Sequence, residues 1–190
     1  RQFVFEWRSP ATRDYLLKIL VAFVLTGLGG LLLEKQGFTL PEHILPVAIA
    51  LALGGVLFLA VEHRLRGRPL LDEVTWTIAL AVGVGQLVAA VFPGTSRSGS
   101  TILLALLFGL NRGAATEFTF LVGIPTMLAA GALKIVKTLQ ETAGAPPEFW
   151  TMVCLGFVAA AIVSFIAVKW LLRYVQTHTF VLFGWYRIVL

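Results

Sequence analysis

Residues 74–110 read VTWTIALAVGVGQLVAAVFPGTSRSGSTILLALLFGL. The first part, 74–92, is long and apolar enough to span a bilayer, whereas the apolar part after the break, 102–110, is too short. A half-length apolar piece after a break rich in Pro, Gly and Ser is typical of a discontinuous or re-entrant helix pair, because irregular backbone is tolerated in a membrane where it lines a polar cavity. We therefore predict such a helix pair over 74–110.

The composition places this stretch in an integral membrane protein. Of the 190 residues, 58% are hydrophobic and 13% are charged, and the mean hydropathy is +0.88. These values argue against a soluble domain and exclude a disordered chain. The single cysteine, Cys154, excludes a disulfide framework within the chain. We interpret the net charge of +5 as loop charge facing an anionic leaflet, and we expect no nucleic-acid partner.

The other apolar stretches predict the remaining membrane spans. They are 16–33 and 44–61, which form an antiparallel hairpin, then 118–133 and 152–172, and an incomplete span over 180–190. The predicted fold class is therefore all-α, a polytopic integral membrane protein with a single transmembrane domain, 1–190. Because the chain starts on a charged segment and stops inside an apolar stretch, we expect it to be part of a larger protein.

The segment 93–101, PGTSRSGST, has the composition of an anion-binding site. Its arginine, Arg97, lies between apolar flanks, and insertion of a charge at the centre of a membrane helix costs about 2.5 to 3.5 kcal/mol, so such a residue usually faces a cavity and has a partner. Glycines let backbone N–H groups turn toward a ligand, and a guanidinium matches phosphate oxygens. The alternative is an interfacial loop in which Ser98 or Ser100 caps the next helix and Arg97 reaches lipid headgroups.

Two polar residues outside this segment have open interpretations. Gln86, inside the apolar stretch before it, either hydrogen-bonds across helices or faces the same cavity. Glu117 is either a first-turn helix residue stabilised by the helix dipole or a group of the site. The histidines, His43, His63 and His178, show no metal-ligand spacing.

With these residues in place, the sequence resembles the undecaprenyl-diphosphatase family, bacterial membrane phosphatases also known as bacitracin-resistance proteins. Segment 93–101 is similar to the family's Pro-Gly-x-Ser-Arg-Ser-Gly-x-Thr signature, with Gln86 upstream. Residues 109–125 resemble the segment after the signature, and Trp185-Tyr186-Arg187 resembles the family's C-terminal Tyr-Arg. The resemblance covers nearly the whole chain.

The resemblance implies a function and a set of site residues. The family dephosphorylates undecaprenyl diphosphate to the monophosphate that carries cell-wall precursors, so we expect a multi-pass protein of the bacterial cytoplasmic (inner) membrane. Carried over by position, Arg97 would bind and neutralise the diphosphate, with Ser96 and Thr101 as catalytic hydroxyls. The substrate-binding residues would be Ser98, Gly94, Gly99 and Gln86. A divalent cation, Mg²⁺ or Ca²⁺, would screen the phosphates.

One departure from the family pattern lowers the activity expected of this chain. The family builds its site from two inverted halves, and the upstream half brings a Glu-x-x-x-Glu helix and a Pro-x-Ser-Ser-Thr-Gly-His segment. Neither motif occurs here. The resemblance therefore implies a family member without its N-terminal part, with an incomplete active site that does not turn over efficiently alone.

Two further classes of function, and one question of assembly, stay open. A polyprenyl-phosphate transporter or flippase is the main alternative, since a broken helix within an inverted repeat is also transporter architecture. A non-catalytic scaffold is the other, and the energetic cost of Arg97 in a membrane argues against it. The glycines Gly27, Gly29 and Gly30 allow close helix packing, either within the chain or in a homodimer.

Overall fold

The computed structural model describes residues 9–36, 44–141 and 147–190. Within these ranges the chain is helical, and its one extended pairing is an isolated bridge between residues 71 and 110. The helices are α1 (Pro10–Lys35), α2 (Ile44–Leu65), α3 (Trp76–Val91), α4 (Arg97–Leu107), α5 (Arg112–Glu141), α6 (Pro147–Thr177) and α7 (Val181–Val189). The predicted all-α fold class is confirmed.

Four of these helices have the length and composition of membrane spans. The qualifying stretches in the described part of the chain are Pro10–Leu33, Ile44–Leu65, Arg112–Gln140 and Phe149–Thr177. Each contains one of the spans predicted from the sequence. Most of their apolar side chains are exposed on the protein's own surface, as expected of side chains that face lipid. The chain is therefore a multi-pass membrane protein.

The helices extend beyond the apolar stretches from which they were predicted. Helix α5 begins at Arg112 and ends at Glu141, whereas the prediction covered only 118–133. Asn111 caps its start, because the Asn111 side-chain oxygen accepts a hydrogen bond of 2.8 Å from the Ala114 N–H. Hydropathy marks only the apolar part of a helix, so the predicted span of 118–133 lies within α5 and gives neither of its ends.

Helices α3 and α4 form a hairpin whose two ends meet. After the turn at 92–96, α4 returns along α3 to the residues that precede it. There the Leu71 N–H donates to the Gly109 carbonyl oxygen at 2.8 Å, and the Asn111 N–H donates to the Leu71 carbonyl oxygen at 2.9 Å. This is the geometry that a re-entrant pair over 74–110 requires. Its re-entrant insertion in a membrane and the inverted repeat stay predictions.

Small residues let α1 approach α3 closely. A Cβ added to Gly83 of α3 would lie 3.2 Å from the Ala22 carbonyl oxygen of α1. Gly29 of α1 faces the Leu87 side chain of α3 in a similarly tight contact. The close packing expected at Gly29 is therefore within the chain, while an added Cβ at Gly27 would have no atom within 4 Å. The homodimer stays a prediction.

The buried core surrounds the hairpin. Its largest fully buried apolar side chains come from α2 to α5 and the segment between α4 and α5, and they are Phe58, Ile78, Val82, Leu106, Leu110, Phe118 and Val122. Both helices of the hairpin are thus fixed against the longer spans, and the turn at 92–96 is carried on a rigid support.

The last helix, α7, packs against α2. A Cβ added to Gly55 would lie 2.6 Å from the Gly184 carbonyl oxygen, so the two backbones touch. The ring of Phe58 meets that of Phe183 edge to face, with centroids 5.4 Å apart. The apolar stretch 180–190, predicted as an incomplete span, therefore contains a short helix that packs against α2.

An ion pair between the buried Glu62 and the partly exposed Arg112 joins three elements beside the base of the hairpin. Glu62 of α2 is 4% exposed. Its two carboxylate oxygens accept hydrogen bonds from Arg112 Nε at 2.8 and 3.1 Å, and one of them also pairs with Arg112 Nη2. The same carboxylate accepts a hydrogen bond of 2.8 Å from the Phe180 N–H. One side chain therefore connects α2 to the first residue of α5 and to the residue immediately before α7.

Candidate active site

The turn between α3 and α4 has a constrained backbone. Gly94 has a φ of +94° and Ser96 a φ of +64°, a region that residues other than glycine rarely adopt. Gly94 also lies against α2, where an added Cβ would meet the Val47 carbonyl oxygen. Glycine is therefore required at position 94, and the strain at Ser96 persists because the surrounding contacts hold it.

Ser96 caps the N-terminus of α4. Its Oγ accepts a hydrogen bond of 3.2 Å from the Gly99 N–H, and its carbonyl oxygen accepts one of 2.9 Å from the Ser100 N–H. The capping residue is thus Ser96, whereas the interfacial-loop interpretation assigned this role to Ser98 or Ser100. The first N–H groups of a helix have no intrahelical acceptor, so those of Arg97 and Ser98 have no partner within α4. This N-terminus is called the open end of α4 below.

Arg97 is a partly buried guanidinium with a free nitrogen. Its Nη1 atom is buried and makes no hydrogen bond to any residue that the structure describes, and neither ion pair among those residues includes it. The guanidinium lies against Gly123, where an added Cβ would be 3.2 Å from Nη2. Gly123 is the twelfth of the 30 residues of α5. Arg97 is therefore deep along a membrane-spanning helix, which favours the cavity-facing interpretation over headgroup contact.

A second guanidinium lies behind the turn. Arg187 of α7 is 3% exposed, and its Nη2 and Nη1 atoms donate to the carbonyl oxygens of Gly94 at 2.8 Å and Thr95 at 3.0 Å. The sequence resemblance included Arg187 but gave it no role.

Thr101, predicted to be a catalytic hydroxyl, directs its side chain at its own helix. Its Oγ1 donates to the carbonyl oxygens of Arg97 and Ser98, each at 3.0 Å, and the residue is 1% exposed. Its Cα packs against Gly85 of α3, where an added Cβ would lie 3.2 Å away. The structure places Thr101 in the interface between α3 and α4, and its catalytic role stays a prediction.

Gln86 hydrogen-bonds across helices, which is one of its two interpretations. Its Nε2 donates to Thr26 Oγ1 of α1 at 3.2 Å, and that hydroxyl donates to the Ala22 carbonyl oxygen at 2.8 Å. Gln86 is 4% exposed, and its Oε1 has no hydrogen-bond partner in the described part of the chain. A role in substrate binding stays a prediction.

Glu117 belongs to a different part of the surface. It is exposed and lines a pocket of about 390 Å³ together with residues of α1 and of the segment 72–74. This pocket is lined by no residue of the turn or of α4. The structure therefore does not bring Glu117 together with Arg97.

The groups around Arg97 do not form a cation site by themselves. They are hydroxyls, backbone carbonyls and guanidinium groups, whereas Mg²⁺ and Ca²⁺ are held mainly through carboxylate oxygens. Across 9–36, 44–141 and 147–190, no three His, Cys, Asp or Glu side chains are grouped to hold a metal ion. The divalent cation stays a prediction, and no step below depends on it.

Comparison with known proteins identifies the family. The family model described as "Bacitracin resistance protein BacA" matches residues 2–190. The chain belongs to this family. A relative from Rhizobium etli (strain CFN 42), named undecaprenyl-diphosphatase, is 51% identical over 188 residues, which are 98% of this chain and 71% of the relative.

Two further BacA-like relatives carry the same name. The protein from Rhizobium johnstonii is 50% identical over 98% of this chain and 71% of its own length. The protein from Xanthomonas oryzae pv. oryzae (strain PXO99A) is 51% identical over 94% of this chain and 67% of its own length. The resemblance stated from the signature is therefore confirmed.

Three residues of this BacA site were given no role by sequence reasoning. Gly123 stands in an apolar stretch among other glycines, and nothing local shows that Arg97 lies against it. Gly54 likewise has no local sequence signal for its contact, which is with Arg187. A signal existed only for Arg187, because an arginine within an apolar segment needs buried acceptors or a cavity.

Replacing Gly94 by alanine tests the contact between the turn and α2. The added Cβ is strained by the positive φ and directed at the Val47 carbonyl oxygen, so we expect the free energy of unfolding to fall by about 1–3 kcal/mol. The matched control is Gly67→Ala, because Gly67 has a φ of +74° but no atom within 4 Å of an added Cβ. Thermal unfolding in detergent measures both variants. Equal losses would show that the Val47 contact contributes nothing.

Proposed function

We propose that this chain binds the diphosphate of undecaprenyl diphosphate and takes part in its hydrolysis to undecaprenyl phosphate and inorganic phosphate. The observation that carries the proposal is the buried guanidinium nitrogen of Arg97, which has no partner among the described residues and lies in the signature segment 93–101. The name of relatives at 51% identity, undecaprenyl-diphosphatase, supports the substrate and the reaction.

The open end of α4 suits a phosphate group. The Arg97 guanidinium supplies a fixed positive charge, and the N–H groups of Arg97 and Ser98 add donors at the positive end of the helix dipole. Ser96 Oγ accepts from Gly99 and still has its own proton to donate. Phosphoryl transfer depends mainly on positioning and on stabilising charge at the phosphate oxygens, so these donors favour this chemistry.

A substrate with a long apolar tail explains a polar site within a membrane domain. The tail keeps the diphosphate at the bilayer, where the N-terminus of α4 lies beside Gly123 of α5. Recycling of the cell-wall lipid carrier takes place at the bacterial cytoplasmic (inner) membrane, which we propose as the location. The nucleophile and the ligands of Mg²⁺ or Ca²⁺ are assigned to the carboxylates and histidine of the upstream motifs that the family resemblance implies.

The experiment that tests the function is release of inorganic phosphate from undecaprenyl diphosphate in detergent. The 190-residue chain is compared with an extended chain, which carries its native upstream sequence as well. We expect turnover by the extended chain and little by the shorter one. If neither releases phosphate and both bind the lipid, the transporter becomes the better explanation, although the relatives' name does not favour it. A leaflet-accessibility assay in vesicles would then measure transport directly.

A further inference from the structure

We infer that Arg187 is a positioning residue for the candidate active site, because it holds the turn at 92–96 in the conformation that aims the N-terminus of α4 at the substrate. The catalytic part of this inference rests on the proposed function. The structural part concerns the turn alone and stands on the contacts of Arg187.

The first observation is the pair of hydrogen bonds from Arg187 to the turn. The carbonyl oxygens of Gly94 and Thr95 lie between two helices and outside the regular hydrogen bonds of either one, so they need other donors. Hydrogen bonds from a charged donor are roughly twice as strong as neutral ones. The planar fork places both bonds immediately before Ser96, the residue with the strained backbone. Arg187 therefore holds the strained conformation in place.

The second observation is a slot of glycines built around the guanidinium. A Cβ added to Gly54 of α2 would lie 2.7 Å from Arg187 Nη2, and one added to Gly99 of α4 would lie 2.7 Å from Nη1. Gly54 is the eleventh of the 22 residues of α2, so the slot lies at the middle of a membrane-spanning helix. A cation at this depth is costly unless it is bound. The two carbonyl oxygens bind Nη1 and Nη2, and the buried Nε atom has no partner among the described residues.

The third observation is the arrangement of the two arginines around the start of α4. Arg187 contacts Gly99 on the first turn of that helix, and Arg97 is its first residue. Neither ion pair of the described residues includes Arg187. Arg97 is therefore free to act on an anion directly, whereas Arg187, which is bound to two carbonyl oxygens, acts on the anion site through the backbone that it holds.

The test uses substitutions that separate charge from geometry. Arg187→Gln removes the charge and the fork, whereas Arg187→Lys keeps the charge but has no fork to bond both carbonyl oxygens. Gly54→Ala keeps Arg187 and displaces its guanidinium. Gly156→Ala on α6 is the control, since an added Cβ there has no atom within 4 Å.

Two readouts are measured on these variants of the extended chain. Hydrogen exchange of the amides in 94–100 reports the turn directly, and we expect it to be about tenfold faster in Arg187→Gln with no change in the rest of α4. Because misplacement by about 1 Å can cost 10²-fold in rate, we expect kcat to fall about 100-fold in Arg187→Gln. In Arg187→Lys we expect kcat to fall with KM near its original value, and Gly54→Ala should lose about tenfold in kcat.

The outcomes distinguish this inference from the proposed function. Exchange in 94–100 and kcat at the original levels in Arg187→Gln would overturn the inference. Failure of the unsubstituted extended chain to release phosphate would overturn the proposed function, and the exchange rates would still decide whether Arg187 holds the turn. If Arg187→Gln does not fold, Gly54→Ala decides, because faster exchange supports the inference and unchanged exchange contradicts it.

Discussion

Arg97→Ala is expected to lower kcat/KM for phosphate release by about 10³-fold in the extended chain. Removing a single donor that stabilises transition-state charge costs about 10²–10³-fold in enzymes of other classes, and Arg97 carries a full charge in addition. Its Nη1 nitrogen has no partner among the described residues, so no internal contact competes with the substrate for it. The measurement is steady-state phosphate release from undecaprenyl diphosphate.

The stability of the same variant is part of this prediction. A buried charge without a partner is unfavourable, so Arg97→Ala should unfold at the same temperature as the original protein or a higher one. Arg97→Lys keeps the charge without the planar fork and should lose less activity than the alanine variant. Arg173→Ala, which removes an exposed arginine of α6, should leave activity unchanged. Activity retained in Arg97→Ala would contradict the role of Arg97.

Glu62→Ala is expected to lower the free energy of unfolding by about 2–4 kcal/mol, somewhat less than the cost of breaking a fully buried pair, because the Arg112 side chain that remains is 24% exposed. The substitution leaves Arg112 without its carboxylate and the Phe180 N–H without its acceptor. Because one carboxylate connects α2 to the starts of α5 and α7, both of these connections are lost together. Chemical denaturation or thermal unfolding in detergent measures the change.

A matched control for Glu62 exists within the chain. Asp14 pairs with Lys18 one helical turn away at 2.5 Å, but the Asp14 side chain is 46% exposed. Exposed pairs of this spacing contribute about 0.3–0.5 kcal/mol, so Asp14→Ala should have a small effect. A similar loss in Asp14→Ala and Glu62→Ala would show that burial of the pair is unimportant.

The membrane spans were predictable because their signal is local. A run of apolar residues long enough for hydrocarbon marks a span wherever it occurs, and the Pro-Gly-Ser break in 93–101 marks the turn between α3 and α4. The helix ends were not predictable in this way, since Asn111 caps α5 well before its apolar part begins.

The contacts that shape the site could not be predicted, because they join distant parts of the sequence. Arg187 and Gly94 are 93 positions apart, and Glu62 and Arg112 are 50 positions apart. The pattern shows that a polar residue within a membrane needs a partner, but it does not show which one. Gln86 illustrates this limit, since its partner is a threonine of α1.

Because the base of the hairpin is closed, the number of residues between 71 and 110 fixes how far the turn lies from that base. An α-helix advances about 1.5 Å and rotates about 100° per residue. A deletion within α4 would therefore swing Arg97 away from Gly123, and the hydrogen bonds at Leu71 prevent either end from sliding to compensate. The number of residues in this hairpin is then as much a functional property as their identity. An engineer who wishes to change the depth at which the phosphate is held would have to add or remove whole turns from both helices together.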